Sequence, residues 1–225
     1  MRTFQADGRT ISGYLAEPAH GSGPGVVVLH AWWGLTEPFQ RVCDRLALAG
    51  FVALAPDLYH GKTTASVEEA EALGAALDQD EERWRGDIAA AIQFLRKPEA
   101  TQAGGHGKLA FVGFSLGDAY ALDTSVNLPE EIAAVVVFYG SYPGLDYSKA
   151  SAAYLLHYAE DDPFEPAESV AEMEHDLRAA GRPATFYTYP GTTHWFCEEN
   201  RPEYNAEAAR LAWERTIQFL HEQLD

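Results

Sequence analysis

Ser115 stands in the run Val112-Gly113-Phe114-Ser115-Leu116-Gly117, directly after the apolar stretch Leu109-Ala110-Phe111. Glycines two places either side of a serine, between a strand and a helix, permit a turn too tight for a Cβ. Such a turn lifts the hydroxyl clear of the strand. It also aims helix N-terminal N–H groups, that of Leu116 first, at the place where an oxyanion would form. A serine hydroxyl attacks a carbonyl only when a base takes its proton and a third group orients that base. The chemistry on offer is acyl transfer through a covalent serine ester.

The base and its partner are expected later in the chain, in the order serine, acid, histidine, each in a loop after a strand. Two segments fit. Tyr154-Leu155-Leu156-His157-Tyr158 reads as a strand and runs into Ala159-Glu160-Asp161-Asp162-Pro163-Phe164. Ala184 to Tyr189 reads as the last strand and leads to Pro190-Gly191-Thr192-Thr193-His194-Trp195. His194 is the candidate base. Asp162, Asp161 and Glu160 compete for the acid, with Asp162 preferred because Pro163 holds the preceding residue extended. Of the other histidines, His20, His60, His106, His175 and His221 fall in exposed turns or on polar helix faces. His157 reads as a core residue, and His30 as a structural or supporting group at a strand end. The second oxyanion donor is expected from the loop His30-Ala31-Trp32-Trp33-Gly34, through the Trp32 N–H. Trp33, Phe114 and Trp195 flank these segments and are expected to line an apolar substrate pocket.

These groups need a scaffold, and the pattern supplies one. Thr10 to Leu15 can form an early strand. Val26-Val27-Val28-Leu29 and Phe51-Val52-Ala53-Leu54 are continuous apolar runs, as expected for strands covered on both faces. Between them a helix capped by Thr36 carries Phe39, Val42, Cys43 and Leu46 at helical spacing, and Gly50 stops it. Ser66-Val67-Glu68-Glu69 is a capping box. A further helix shows Trp84, Ile88, Ala91 and Leu95 on one face. After the serine come a strand at Ala133 to Phe138, a helix from Pro166 to Ala180 with Val170, Met173 and Leu177 inward, and a closing helix with Ala209, Trp213, Ile217 and Leu220. The alternation implies an α/β class with a mainly parallel, doubly wound sheet flanked by helices. No loop is long enough for a large lid, and positions 1–225 read as a single domain.

Composition narrows the function. The chain has 225 residues, 47 % hydrophobic, and a formal net charge of −18. That charge argues against nucleic acid or an anionic membrane as partner, and against anionic substrates. The two cysteines, Cys43 and Cys197, form no disulfide framework. No run has signal-peptide or bilayer-spanning character, so a cytoplasmic location is expected. No metal-ligand spacing or dinucleotide fingerprint is present, so no cofactor is expected.

With these residues placed, the chain resembles the dienelactone hydrolase family of α/β-hydrolases. The likeness rests on Pro24-Gly25-Val26-Val27-Val28-Leu29-His30, Trp33-Gly34-Leu35, Ala55-Pro56-Asp57-Leu58-Tyr59, Gly113-Phe114-Ser115-Leu116-Gly117 and Tyr189-Pro190-Gly191 leading to His194. It implies a metal-free hydrolase of small esters or lactones working through an acyl-enzyme. The best-known members use cysteine where this chain has Ser115, and gate it with a glutamate where this chain has Ala31. Two arginines hold the dienelactone carboxylate in the family, and the matching positions here are Glu69 and Glu198. Each lost charge-assisted pair is worth roughly 1.5–3 kcal/mol, so neutral, short-chain substrates are expected instead.

Asp118 is a second departure. It reads either as a first-turn acid favoured by the helix N-terminus, worth about 0.3–1 kcal/mol, or as a carboxylate acting on His194 or substrate. The same three residues would also serve acyl transfer or C–C bond hydrolysis, and the fold could be kept as a non-catalytic ligand-binding module. The order of serine, acid and histidine favours the hydrolase.

Overall fold

A computed structural model describes residues 1–6, 9–96 and 107–224, so that His106 lies outside the described residues. The chain groups into two compact units, Met1–Leu109 and Ala110–Asp225.

In the first unit, β1 (Arg2–Ala6), β2 (Arg9–Ala16), β3 (Gly25–Leu29) and β4 (Val52–Pro56) lie in the order β1-β2-β4-β3. β1 pairs antiparallel with β2, Phe4 opposite Ile11, and β2 pairs antiparallel with β4, Tyr14 opposite Ala55. β3 and β4 are parallel, Val26 beside Ala53, and every residue of both is buried, as their unbroken apolar runs require. β1 escapes sequence reading because, among its described side chains, Phe4 is the one that is apolar and buried. Helix α1 (Glu37–Leu48) buries Phe39, Cys43 and Leu46, which makes Cys43 the small core residue expected. Thr36 is its N-cap residue without a side-chain cap bond, Pro38 setting the first turn instead. Helix α2 (Val67–Asp78) keeps half of its capping box: Ser66 accepts from the Glu69 N–H, while the Glu69 carboxylate takes the Thr64 hydroxyl at 2.6 Å. Helix α3 (Glu81–Leu95) buries the expected Trp84, Ile88, Ala91 and Leu95.

In the second unit, β5 (Leu109–Phe114), whose first residue belongs to the first unit, β6 (Ile132–Phe138), β7 (Ala153–Asp161) and β8 (Ala184–Thr193) follow one another in sheet order. β6, β7 and β8 are parallel neighbours, Val136 beside Leu155 and Tyr154 beside Ala184. The mainly parallel pattern thus holds for the β3–β4, β6–β7 and β7–β8 pairs, with the antiparallel β1 and β2 making the strand set mixed. Helix α4 (Leu116–Asn127) buries residues on every side, Tyr120 and Leu122 alongside Asp118, Thr124 and Ser125. Its hydroxyls are answered within the unit: Thr124 donates to the Tyr120 carbonyl at 2.7 Å, and Ser125 bonds both the Leu122 carbonyl and the Tyr154 hydroxyl. Helix α5 (Ala167–Ala179) buries Met173 and Leu177 and leaves Val170 half-exposed. Helix α6 (Ala206–Leu224) closes the unit. Among the described residues, no helix is long and apolar enough to cross a membrane.

β8 runs four residues beyond the expected Tyr189. A proline and a glycine in sequence read as a strand end, but at a sheet margin Pro190 gives up no ladder bond, and Gly191 takes φ 68° where the β7–β8 register shifts. The Glu160 carboxylate secures this bulge by accepting the Gly191 N–H at 2.8 Å. After the shift Asp161 lies beside Thr193. The residue following each strand is Asp162 in one case and His194 in the other, so parallel pairing about 4.8 Å apart delivers the two side chains together.

Candidate active site

Ser115 joins β5 to α4 with φ 52° and ψ −114°, a conformation that a side-chain-bearing residue adopts only under tertiary constraint. Its N–H donates to the Phe138 carbonyl at 3.0 Å, and its carbonyl accepts the Asp118 N–H at 2.9 Å. A Cβ at Gly113 would come within 2.6 Å of the Asp118 carboxyl and 2.9 Å of the Asp118 backbone, so that position must be glycine.

The Ser115 Oγ lies 3.1 Å from His194 Nε2. His194 Nδ1 is 2.8 Å from each oxygen of Asp162. A carboxylate accepts only, so Nδ1 carries the proton and the Nε2 lone pair faces the serine hydroxyl. The His194 and Asp162 side chains are 3 % and 8 % exposed. Asp162 Oδ1 also accepts the Phe164 and Glu165 N–H groups, both at 3.0 Å, which fixes the carboxylate before it meets the imidazole. Ser115 and Leu116 are half-buried, open enough for a substrate to reach. Of the three competing acids, Asp162 is the one the structure brings to His194; Glu160 is spent on Gly191.

The model of the dienelactone hydrolase family matches residues 11–224. The chain belongs to that family. It is 31 % identical to the protein usf of Aquifex pyrophilus over 100 % of this chain and 98 % of the relative. Among solved structures it superposes on a dienelactone hydrolase-like promiscuous phosphotriesterase from metagenomic libraries with a TM-score of 0.86, at 22 % identity, covering 99 % of this chain and 97 % of the other. A thermophilic esterase from Thermogutta terrifontis follows with a TM-score of 0.72 and 17 % identity over 98 % and 91 % of the two chains. These two likenesses bear on the fold, which is the expected α/β-hydrolase arrangement. As a member of the dienelactone hydrolase family, the protein is a hydrolase of carboxylic esters or lactones.

Aromatic rings enclose the imidazole of this dienelactone hydrolase relative. Tyr139, Trp195 and Phe164 have ring centroids 4.8, 5.1 and 5.2 Å from that of His194. Tyr139 and Trp195 both hold positive φ, 53° and 68°, beside the site. Trp195 is the pocket residue that the sequence points to; Tyr139 and Phe164 join it. Their signal in sequence is position alone, the first residue after β6 and the second after Asp162. Phe114 stacks on Phe138 at 4.7 Å, directing its ring into the interior. Glu198 is buried, 3 % exposed, and accepts the Tyr139 hydroxyl at 3.0 Å. Burial pushes the Tyr139 phenol well above its ordinary range, and the Glu198 charge adds to the rise. Glu165 is raised as well, chiefly by burial, with the Ser141 hydroxyl working against the shift.

The remaining candidates sit in the first unit. Trp32 and Trp33 occupy the turn after β3, closed by the Gly34 N–H on the Ala31 carbonyl at 3.2 Å, with their rings edge to face at 5.6 Å. Glu69 is exposed at the start of α2. His30 supports that turn from below. Its Nδ1 donates to the Ala31 carbonyl at 2.7 Å and its Nε2 accepts the Leu58 N–H at 3.3 Å, while burial lowers its pKa and keeps it neutral. His60 is exposed as expected, yet it is engaged: its Nε2 lies 2.7 Å from the buried Asp87. Among the described residues, no group of three His, Cys, Asp or Glu side chains could hold a metal.

Proposed function

We propose that this protein hydrolyses small, neutral, short-chain esters or lactones through an acyl-enzyme on Ser115. The observation that carries the reading is the continuous relay from Ser115 Oγ through both nitrogens of His194 to Asp162. Ser115 Oγ bonds to the carbonyl carbon as His194 Nε2 takes the hydroxyl proton, and the carbonyl oxygen becomes an oxyanion facing the Leu116 N–H at the start of α4. Collapse re-forms the carbonyl and breaks the bond to the leaving oxygen, which receives the proton from His194; in a lactone that alcohol stays tethered. Water then loses a proton to His194, attacks the acyl carbon, and frees the acid and Ser115. Asp162 holds the imidazole in the needed tautomer throughout.

The preference for neutral substrates draws on the buried Glu198 beside the Tyr139–His194 pair and on the net charge of −18. Both disfavour a carboxylate arriving near His194. p-Nitrophenyl acetate should give a burst of nitrophenol equal to the enzyme present, followed by slower turnover. Ser115→Ala should abolish both phases. A Ser115→Ala protein with unchanged turnover would end the serine reading, and an equal kcat/KM for a carboxylated and a neutral ester of similar size would end the charge preference.

A further inference from the structure

Asp118, in the first turn of α4, is 0 % exposed. Its Oδ1 accepts the Phe138 N–H at 3.2 Å, and its Oδ2 is buried with no hydrogen-bond partner among the described residues. The carboxyl is wedged between two glycines. A Cβ at Gly113 would approach Oδ1 to 2.6 Å, and one at Gly140 would approach Oδ2 to 2.7 Å and the Ser115 carbonyl oxygen to 2.9 Å. Three hydrogen bonds close a ring through this side chain: Ser115 N–H to the Phe138 carbonyl, Phe138 N–H to Asp118 Oδ1, and Asp118 N–H to the Ser115 carbonyl.

We propose that Asp118 is a positioning residue for the nucleophile, a buried carboxyl clamp that ties the end of β6 to the first turn of α4 and so holds Ser115 in its strained conformation. A conformation of this kind persists only where its surroundings over-determine it. The ring does so with one side chain. The clamp works as a neutral acid. An anion with one amide partner and an orphan oxygen would be costly in this interior. Burial raises the Asp118 pKa well above its ordinary value and outweighs the Phe138 and Ser115 N–H groups, which pull it down, while the nearby Glu165 adds to the rise. The other titratable groups facing it, the Tyr139 and Tyr158 phenols, are themselves pushed up and bring no positive charge. Asp118 therefore contributes shape and one acceptor, and neither a dipole-favoured anion nor a charge acting on the imidazole.

The proposal rests on the serine-nucleophile reading, and its test separates the two. A fluorophosphonate probe counts reactive Ser115 and its time course gives a labelling rate, for wild type, Asp118→Asn and Asp118→Ala. Asparagine keeps the acceptor and the neutral shape, so its labelling rate and its p-nitrophenyl acetate kcat per titrated site should stay within about threefold of wild type. Alanine should lower both per-site rates together by about tenfold or more, since small misplacements of a reacting group are expensive. Loss of folded protein alone would reduce the number of titrated sites and leave the per-site rates unmoved. If the alanine protein does not fold, Asp118→Ser withdraws the polar atom from the Phe138 N–H and carries the same expectation. Unchanged per-site rates in the truncated protein would overturn the clamp, as would an asparagine protein as impaired as the alanine one. A wild-type protein that the probe does not label would instead overturn the serine reading, and the clamp with it.

Discussion

His157 and His194 lie in the same unit, both buried and both bonded at each ring nitrogen, yet their surroundings fit them for opposite purposes. His157 sits inside β7, its Nδ1 2.9 Å from the Tyr189 hydroxyl and its Nε2 3.1 Å from the Thr216 hydroxyl. Burial, aided by Arg215, lowers its pKa to about 3, so it stays neutral. His194 sits just past the end of β8, with a carboxylate on one nitrogen and a half-buried serine on the other. Burial alone does not make a histidine a base; partner chemistry and the position at a strand's carboxyl end do. Asp118 and Asp162 repeat the lesson. One carboxyl has one amide at hydrogen-bond distance and an oxygen with no hydrogen-bond partner among the described residues, while the other accepts two amides and an imidazole.

The contrast can be broken most forcefully at the relay. His194→Ala and Ser115→Ala should each lower kcat/KM for p-nitrophenyl acetate by about 10⁴-fold or more, in proteins with unchanged circular dichroism. Asp162→Asn should cost about 10³–10⁴-fold, because an amide no longer holds the imidazole in the tautomer that serves the serine. A loss below tenfold in the asparagine protein would return Glu160 or Asp161 to contention.

These largest effects fall on what the sequence shows best. The Gly-x-Ser-x-Gly turn and the two loops after apolar runs are local patterns, and local patterns survive folding. What sequence does not display is set by long-range pairing. Asp162 and His194 meet through the β7–β8 register, which depends on a bulge at Pro190-Gly191 that reads on paper as the end of a strand. Asp118 reads as a first-turn acid favoured by a helix terminus or as a carboxylate acting on His194 or substrate; only the convergence of Gly113 and Gly140 shows that it is enclosed. Tyr139 owes its place beside His194 to a positive φ that no residue type advertises. β1 stays hidden because one large apolar residue, Phe4, is too little for a period.

His157 gives a smaller, sharper test. Its folded pKa of about 3 lies below the ordinary 6.5, so between these values the unfolded chain binds more protons and stability falls as pH falls. His157→Gln should cost about 1–3 kcal/mol at neutral pH through weakened hydrogen bonds. Between pH 6.5 and pH 4 it should lose less melting temperature than wild type does. Parallel melting curves across that range would contradict the neutral, buried assignment.

Asp118 predicts the opposite sign. Its folded pKa lies above the ordinary 3.8, so its stabilising contribution is complete below about pH 4 and declines as pH rises towards the folded pKa. Asp118→Asn lacks this decline. Its melting temperature relative to wild type should therefore climb from pH 4 upward, by about 1.4 kcal/mol of stability per pH unit at the steepest. In infrared spectra at neutral pH, wild type should show a protonated-carboxyl band that the asparagine protein lacks. A flat stability difference together with no such band would make Asp118 a carboxylate.

The covalent intermediate is the most direct point of attack. Wild-type protein mixed with excess p-nitrophenyl acetate, acid-quenched within the burst and digested, should carry one acetyl group on the peptide containing Ser115, and Ser115→Ala should carry none. Turnover with no acetylated Ser115 at any quench time, under conditions that preserve a chemically acetylated control, would contradict the account at its centre.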